Sequence, residues 1–434
     1  MATQASQVPT RAWIVTWAGT ACNLTLGILY AWSVWKAVLV NKAQAGQPIE
    51  TMVDGVNINA GWTYLTDAQG TVAYTVCGVV FAIFMIFGGK IQDKYGPKVG
   101  ATLGGLLLAV GCIVSGLMRS YEGLIIGYGI LGGIGMGIGY AAPTPAALKW
   151  FGPHKRGMIS GIVVAGYGAA ALYIAPLGQY LIDHYGISNS FIYLGIFFAV
   201  VVIIAGQLLS NPPAGYIPPG APVTAASAAK PVSPTADWTP SEMRGRWQYY
   251  ALVLLFIGSA QSGLLIIANA APILGKTAKD IPFLAANIWL IASFGGLMNA
   301  LGRVGTGMYS DKIGRTNAYL VNGIISALCM LSLPYIIDSK SVVLLFLAVA
   351  IAYWQYGGGL SLMPSFTADF FGSKFMGANY GFVFLGWGIG FVIPLLAGYI
   401  KDATNSYTIP LYLSAAVLIV AVILCAVTKK PVKN

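Results

Sequence analysis

Twelve apolar stretches run through this chain, and between them they hold one formal charge, Arg303. A hydrocarbon core of roughly 30 Å is crossed by about 20 apolar residues in a helix, so runs of this length and number commit the chain to a bilayer. The windows fall near residues 12–35, 71–89, 99–118, 123–148, 157–182, 189–210, 248–274, 284–308, 316–336, 341–366, 377–400 and 408–428. Strands of a membrane barrel alternate apolar and polar residues over about ten positions. The runs 106–114 and 342–351 do not alternate, so the expected fold is an all-α membrane protein of twelve transmembrane helices. Composition agrees: 9% of residues are charged and 57% hydrophobic, whereas a soluble domain carries roughly a quarter charged residues.

The net charge of +11 reads as a topology signal rather than as a nucleic-acid footprint. With both termini cytoplasmic, the tails and even-to-odd loops hold sixteen Lys and Arg and the opposite face seven, as the positive-inside rule requires. The location expected is the inner (cell) membrane. All five cysteines lie in apolar spans without metal-ligand spacing, so they read as small buried hydrophobes. No cofactor, metal or nucleic acid is expected, and the spans lack the paired Asp, His-rich site or Ser with a base that an intramembrane enzyme needs.

Two internal echoes divide the chain. Gly89, Asp93, Lys94 and Gly96 recur as Gly307, Asp311, Lys312 and Gly314, offset by 218 residues, with Arg315 following the second copy. Phe151, Gly152, Gly157 and Gly161 recur as Phe371, Gly372, Gly377 and Gly381, offset by 220. Two independent echoes at nearly one offset imply a duplicated six-helix unit. The expected division is a bundle over residues 1–210, a Pro-, Ala- and Ser-rich flexible cytoplasmic linker over 211–247, and a second bundle over 248–434. The loop motif resembles the signature of the major facilitator superfamily, a resemblance that covers essentially the whole chain. There the glycines let helices approach closely. The acids cap helix starts, and the adjacent basic residues Lys94, Lys312 and Arg315 pair across a cytoplasmic seam that opens and closes.

Arg303 lies four residues after Asn299, so the two share a helix face. Placing an Arg at a helix centre costs roughly 2.5–3.5 kcal/mol on the insertion scale, and no acidic residue accompanies it at that depth. The structural reading is a side chain that snorkels from the helix end or bonds a backbone carbonyl. The functional reading is a planar fork for one carboxylate, which Lys does not reproduce.

The run 299–315, Trp150-Phe151, Arg156-Gly157 and Asn379-Tyr380-Gly381 look like the oxalate/formate antiporters and the related monocarboxylate transporters. That resemblance implies that Arg303 anchors a carboxylate, with Asn299, Leu29, Tyr30, Tyr140, Tyr356, Phe384 and Trp387 around it. It also marks two departures. Trp387 stands where the dicarboxylate antiporter has a second cation, and Asn299 and Val34 stand where animal monocarboxylate transporters have an Asp and a Lys. The function expected is alternating-access transport of small monocarboxylates of the lactate and pyruvate class by a functional monomer, with proton symport as the family expectation. The alternative is carboxylate/carboxylate antiport of the oxalate/formate type. The external loop 41–70, longer than is common in this fold, has no physical account at this level and reads either as a hairpin lid or as a disordered tether.

Overall fold

The computed structural model describes residues 8–152, 155–213, 215–219, 237–277, 281–287, 289–372, 374–404 and 406–433. His154 and most of the expected linker, including Lys230, lie outside the described residues.

Ten helices are long and apolar enough to cross a membrane. One of them runs 52 residues and turns at Gly186, whose φ of 81° ends one span and starts the next. A side chain there would also meet the Ile58 carbonyl, so glycine answers both a left-handed backbone and a close approach. A further helix, Trp289–Ile313, is long enough to cross but less apolar, its buried face carrying Asn299, Arg303, Thr306 and Ser310. The described residues therefore make twelve crossings, in two bundles of six. They are α1 (Thr10–Leu39), α2 (Asp67–Tyr95), α3 (Pro97–Met118), α4 (Tyr121–Leu148), α5 (156–185) and α6 (187–208). The second six are α7 (Trp247–Thr277), α8 (Trp289–Ile313), α9 (Arg315–Asp338), α10 (Val342–Phe371), α11 (376–404) and α12 (Thr408–Val427).

Local chemistry accounts for the irregularities that hydropathy missed. The α1 helix tightens to a 3₁₀ turn over Gly27–Ala31, where Gly27 lies against Ala170 and the Tyr167 carbonyl with no room for a Cβ. That turn carries Leu29 and Tyr30. The eighth span starts later than its hydropathy window, because a short helix, Pro282–Ala286, ends at Asn287 before α8 begins. Arg303 is consequently the fifteenth of 25 residues in α8, near its middle rather than at its end.

Residues 40–66, unexplained by sequence, fold as a cap on the first bundle at the end opposite the basic loops. A two-strand hairpin, β1 (Met52–Val53) and β2 (Val56–Asn57), forms its tip. Its base is fastened by Trp62 Nε1, which donates to Ser188 Oγ at 2.9 Å, and by Asn59 Oδ1, which accepts the Ile187 amide at 2.8 Å. Asn59 thus satisfies one of the unpaired amides at the start of α6.

The described ends of the connector are docked on the helices beside them. Trp150 donates to the Ser210 carbonyl and Tyr216 to the Trp150 carbonyl. At the other end, the buried Trp238 donates its amide to the Phe371 carbonyl and accepts from Asn379 Nδ2.

Candidate functional site

Helices α5 and α8 pack against each other, and their contact depends on small residues. A Cβ on Gly168 would lie 2.9 Å from Arg303 Nε and 3.1 Å from Asn299 Oδ1, so the bare backbone of α5 is what admits the guanidinium. Arg303 has no solvent exposure. It donates from Nε to Asn299 Oδ1 (2.9 Å), from Nη1 to the Val164 carbonyl (2.6 Å) and from Nη2 to Tyr30 Oη (3.1 Å). One of these three acceptors is main chain, on the other bundle, and none is a carboxylate. Among the described residues the ion pairs all lie at the basic end, and Arg303 joins none of them.

An aromatic cluster closes around the guanidinium. The Tyr30 and Tyr167 rings have their centroids 5.8 and 5.9 Å from it, within cation–π range. Tyr30 Oη shares a 2.6 Å hydrogen bond with Tyr356 Oη, which also accepts from Trp387 Nε1 at 2.8 Å. Phe384 packs on Tyr140, Tyr380, Phe81 and Trp387. The resulting ring cage draws on α1, α2, α4, α5, α10 and α11, and so on both bundles.

Two members of the cage have unfinished chemistry. The hydroxyls of Tyr140 and Tyr380 are buried beside each other, and that of Tyr140 beside Arg303, within hydrogen-bonding reach, yet neither makes a contact of good hydrogen-bond geometry with a described group. A buried hydroxyl left without a well-aligned partner costs roughly 1–3 kcal/mol.

Of the residues singled out in the sequence, Arg303, Asn299, Tyr30, Tyr140, Tyr356, Phe384 and Trp387 come together here. Leu29 lies beside Tyr30 on a cleft toward the capped end, lined also by Trp32, Ser33, Thr71 and Tyr74. Asn299 orients the guanidinium through its carbonyl oxygen. Sequence reasoning missed Tyr167, Phe81 and the Val164 carbonyl, which carry no motif, and Tyr380, whose signal was its place in Asn379-Tyr380-Gly381.

The two sequence echoes meet across the seam at the basic end. Asp93, from the first echo in the first bundle, accepts the Ala378 amide at the start of α11 (3.1 Å). Asp311, its counterpart, accepts the Gly157 and Met158 amides at the start of α5 (3.2 and 3.0 Å). Gly89 meets Gly377, and Gly307 meets Gly157, so closely that a Cβ on either would collide with the facing backbone. Each acid therefore caps a helix of the opposite bundle, where unpaired amides and the helix dipole favour negative charge. The basic residues do not bridge the seam as expected. Lys94 and Lys312 are exposed, and Arg315 pairs within its own bundle with Asp311 (2.6 Å) and Asp369 (3.2 Å).

A family model of the Major Facilitator Superfamily matches residues 51–393. The oxalate:formate antiporter of Oxalobacter formigenes is 28% identical over 359 residues, covering 78% of this chain and 82% of that protein. An uncharacterized MFS-type transporter of Escherichia coli, YhjX, is 25% identical over 378 residues, covering 87% and 85%. Monocarboxylate transporter 12 of Rattus norvegicus is 25% identical over 362 residues, covering 79% and 74%. The structure of the proton:xylose symporter XylE superposes with a TM-score of 0.67 over 96% of this chain and 95% of that one, at 13% identity, which speaks to the fold alone.

Proposed function

The chain belongs to the Major Facilitator Superfamily, and from that membership we propose that it is a secondary transporter of small monocarboxylates of the lactate and pyruvate class, working by alternating access. The observation that carries this reading is Arg303, a buried cation with no carboxylate partner among the described residues, flanked by the unpaired hydroxyls of Tyr140 and Tyr380. A carboxylate placed between them would accept from the guanidinium and from both phenols, with ring faces against its apolar carbons. One cation suits one carboxylate. A second carboxylate would face Trp387 and find only an indole N–H already given to Tyr356.

Carboxylate binding would also neutralise the mobile centre. The loaded site carries less net charge through the bilayer than the unloaded one, which favours reorientation of the loaded form. In this reading the seam formed by Gly89, Asp93, Gly307 and Asp311 is the cytoplasmic gate, both termini are cytoplasmic, and the cleft at Leu29 and Tyr30 is the external approach. The bundles 1–210 and 248–434 move about the α5–α8 and α2–α11 contacts. The twofold arrangement is complete in one chain, and we take the monomer as the functional unit.

Proton symport is the first coupling mode. Carboxylate exchange is the second, and one observation favours it: no Asp, Glu or His among the described residues touches Arg303, where Asn299 supplies a neutral amide. Uptake of labelled lactate into proteoliposomes tests both. Acceleration by an inward proton gradient is expected for symport, and acceleration only by internal carboxylate for exchange. Absence of uptake under either condition would overturn the monocarboxylate reading.

A further inference from the structure

A cavity of about 490 Å³ lies at the basic end, away from Arg303. Three separate pieces of the molecule wall it: Lys149 and Phe151 after α4, Asn211 and Pro212 in the connector, and Ala368 and Met376 from α10 and α11. Lys149 is its cation. The ammonium reaches Asn211 Oδ1 at a long 3.4 Å and otherwise sees Asp93, whose carboxylate is engaged with the Ala378 amide. Burial holds the Lys149 pKa below the usual lysine value, with Asp93 opposing that shift. Phe151, Pro212 and Met376 give the wall an apolar side about as large as its polar one, and its volume is in the range that takes ligands larger than a three-carbon acid.

We propose that this cavity binds a cytosolic organic anion, an anionic group against Lys149 with an apolar body against Phe151, Pro212 and Met376, and that its occupant holds the basic end closed. The second part rests on the alternating-access reading; the binding does not. The argument is geometric. Phe151 belongs to the first bundle and Met376 to the second, and they share this wall only while Asp93 reaches α11 and Gly89 meets Gly377. A ligand that touches both bundles in this arrangement binds it better than an arrangement in which they part, and so shifts the population toward it.

The test uses phenyl phosphate as the probe and inorganic phosphate as its counterpart without an apolar body. The thermal midpoint of the full-length purified protein is followed in detergent, in the native chain and in Arg303→Lys, where the central site is impaired. Phenyl phosphate is expected to raise the midpoint of both proteins. Lys149→Gln should weaken its apparent affinity at least tenfold, Lys149→Arg should restore it, and Asn211→Lys, on an exposed segment, should tighten it. Inside proteoliposomes the probe should slow lactate uptake several-fold. Equal stabilisation by inorganic phosphate, loss of the shift in Arg303→Lys, or an unchanged affinity in Lys149→Gln would each overturn the proposal. Failure of lactate uptake without probe would instead count against the transport reading and leave the binding result standing.

Discussion

Arg303 stays charged in the middle of α8 because its donors are divided among an amide on its own helix, a phenol on α1 and a carbonyl on α5. Both bundles thus hold it, and Gly168 leaves the space it needs. A lysine has the charge without the planar fork, so Arg303→Lys is expected to weaken lactate binding at least tenfold, read as the dissociation constant of purified protein. Removing one phenol from a charged acceptor forfeits about 1.5–3 kcal/mol, or roughly ten- to a hundredfold. Tyr380→Phe and Tyr140→Phe should each lose affinity in that range with the melting temperature unchanged or raised, since each hydroxyl is unpaired in the unliganded protein. Unchanged affinity in both would leave these phenols as core packing. At this scale the sequence was legible wherever a residue broke its surroundings, as Arg303 does among apolar neighbours. Tyr167 and Phe81 were not, because one aromatic among 24 Tyr and 18 Phe announces nothing until the helices are placed.

Among the helices, the division of labour follows from small residues and caps. Asp93 and Asp311 each satisfy amides at a helix start in the opposite bundle, over glycine contacts that tolerate no side chain. Asp93→Asn should lose part of the charge-assisted bond and shift the population toward the form open at the basic end by about tenfold. Gly377→Val should do the same by steric collision. Thiol labelling of Ser160→Cys, buried in α5, in a chain whose native cysteines are replaced, would report both as faster modification; an unchanged rate would mean that this seam does not gate. The repeat offsets made the seam glycines and acids legible as a pair of echoes. They left the partners open, since an offset gives equivalence and not contact, and so Lys94 and Lys312 were expected to bridge where backbone amides do. The tightening of α1 at Gly27–Ala31 and the late start of α8 escaped hydropathy because both arise from local geometry rather than from apolar content.

Over the whole molecule, twelve apolar stretches that hold one cation between them join the fold to the proposed function. Hydropathy, loop charge and duplication were sufficient for the twelve-helix architecture, since the bilayer leaves an apolar chain few alternatives. The cap over residues 40–66 was invisible because its order comes from irregular turn and loop hydrogen bonds of its own and from a few contacts to its bundle, Trp62 to Ser188, Asn59 to Ile187 and Arg119 to the Ala60 carbonyl, none of which leaves a hydropathy period. Trp62→Phe removes one of them and should raise amide hydrogen exchange in the cap while leaving the uptake rate within about twofold, because Ser188, Ile187 and Arg119, which fasten the cap, all belong to the first bundle. A many-fold loss of uptake would make the cap part of the external approach. The account as a whole stands on what the guanidinium is for. Displacement of labelled lactate from purified protein by a panel of mono- and dicarboxylates, in the native chain and in Arg303→Lys, tests it most directly. Pyruvate and other monocarboxylates should displace the label, oxalate should be at least tenfold weaker, and Arg303→Lys should bind poorly; native affinity retained in that variant would contradict the account.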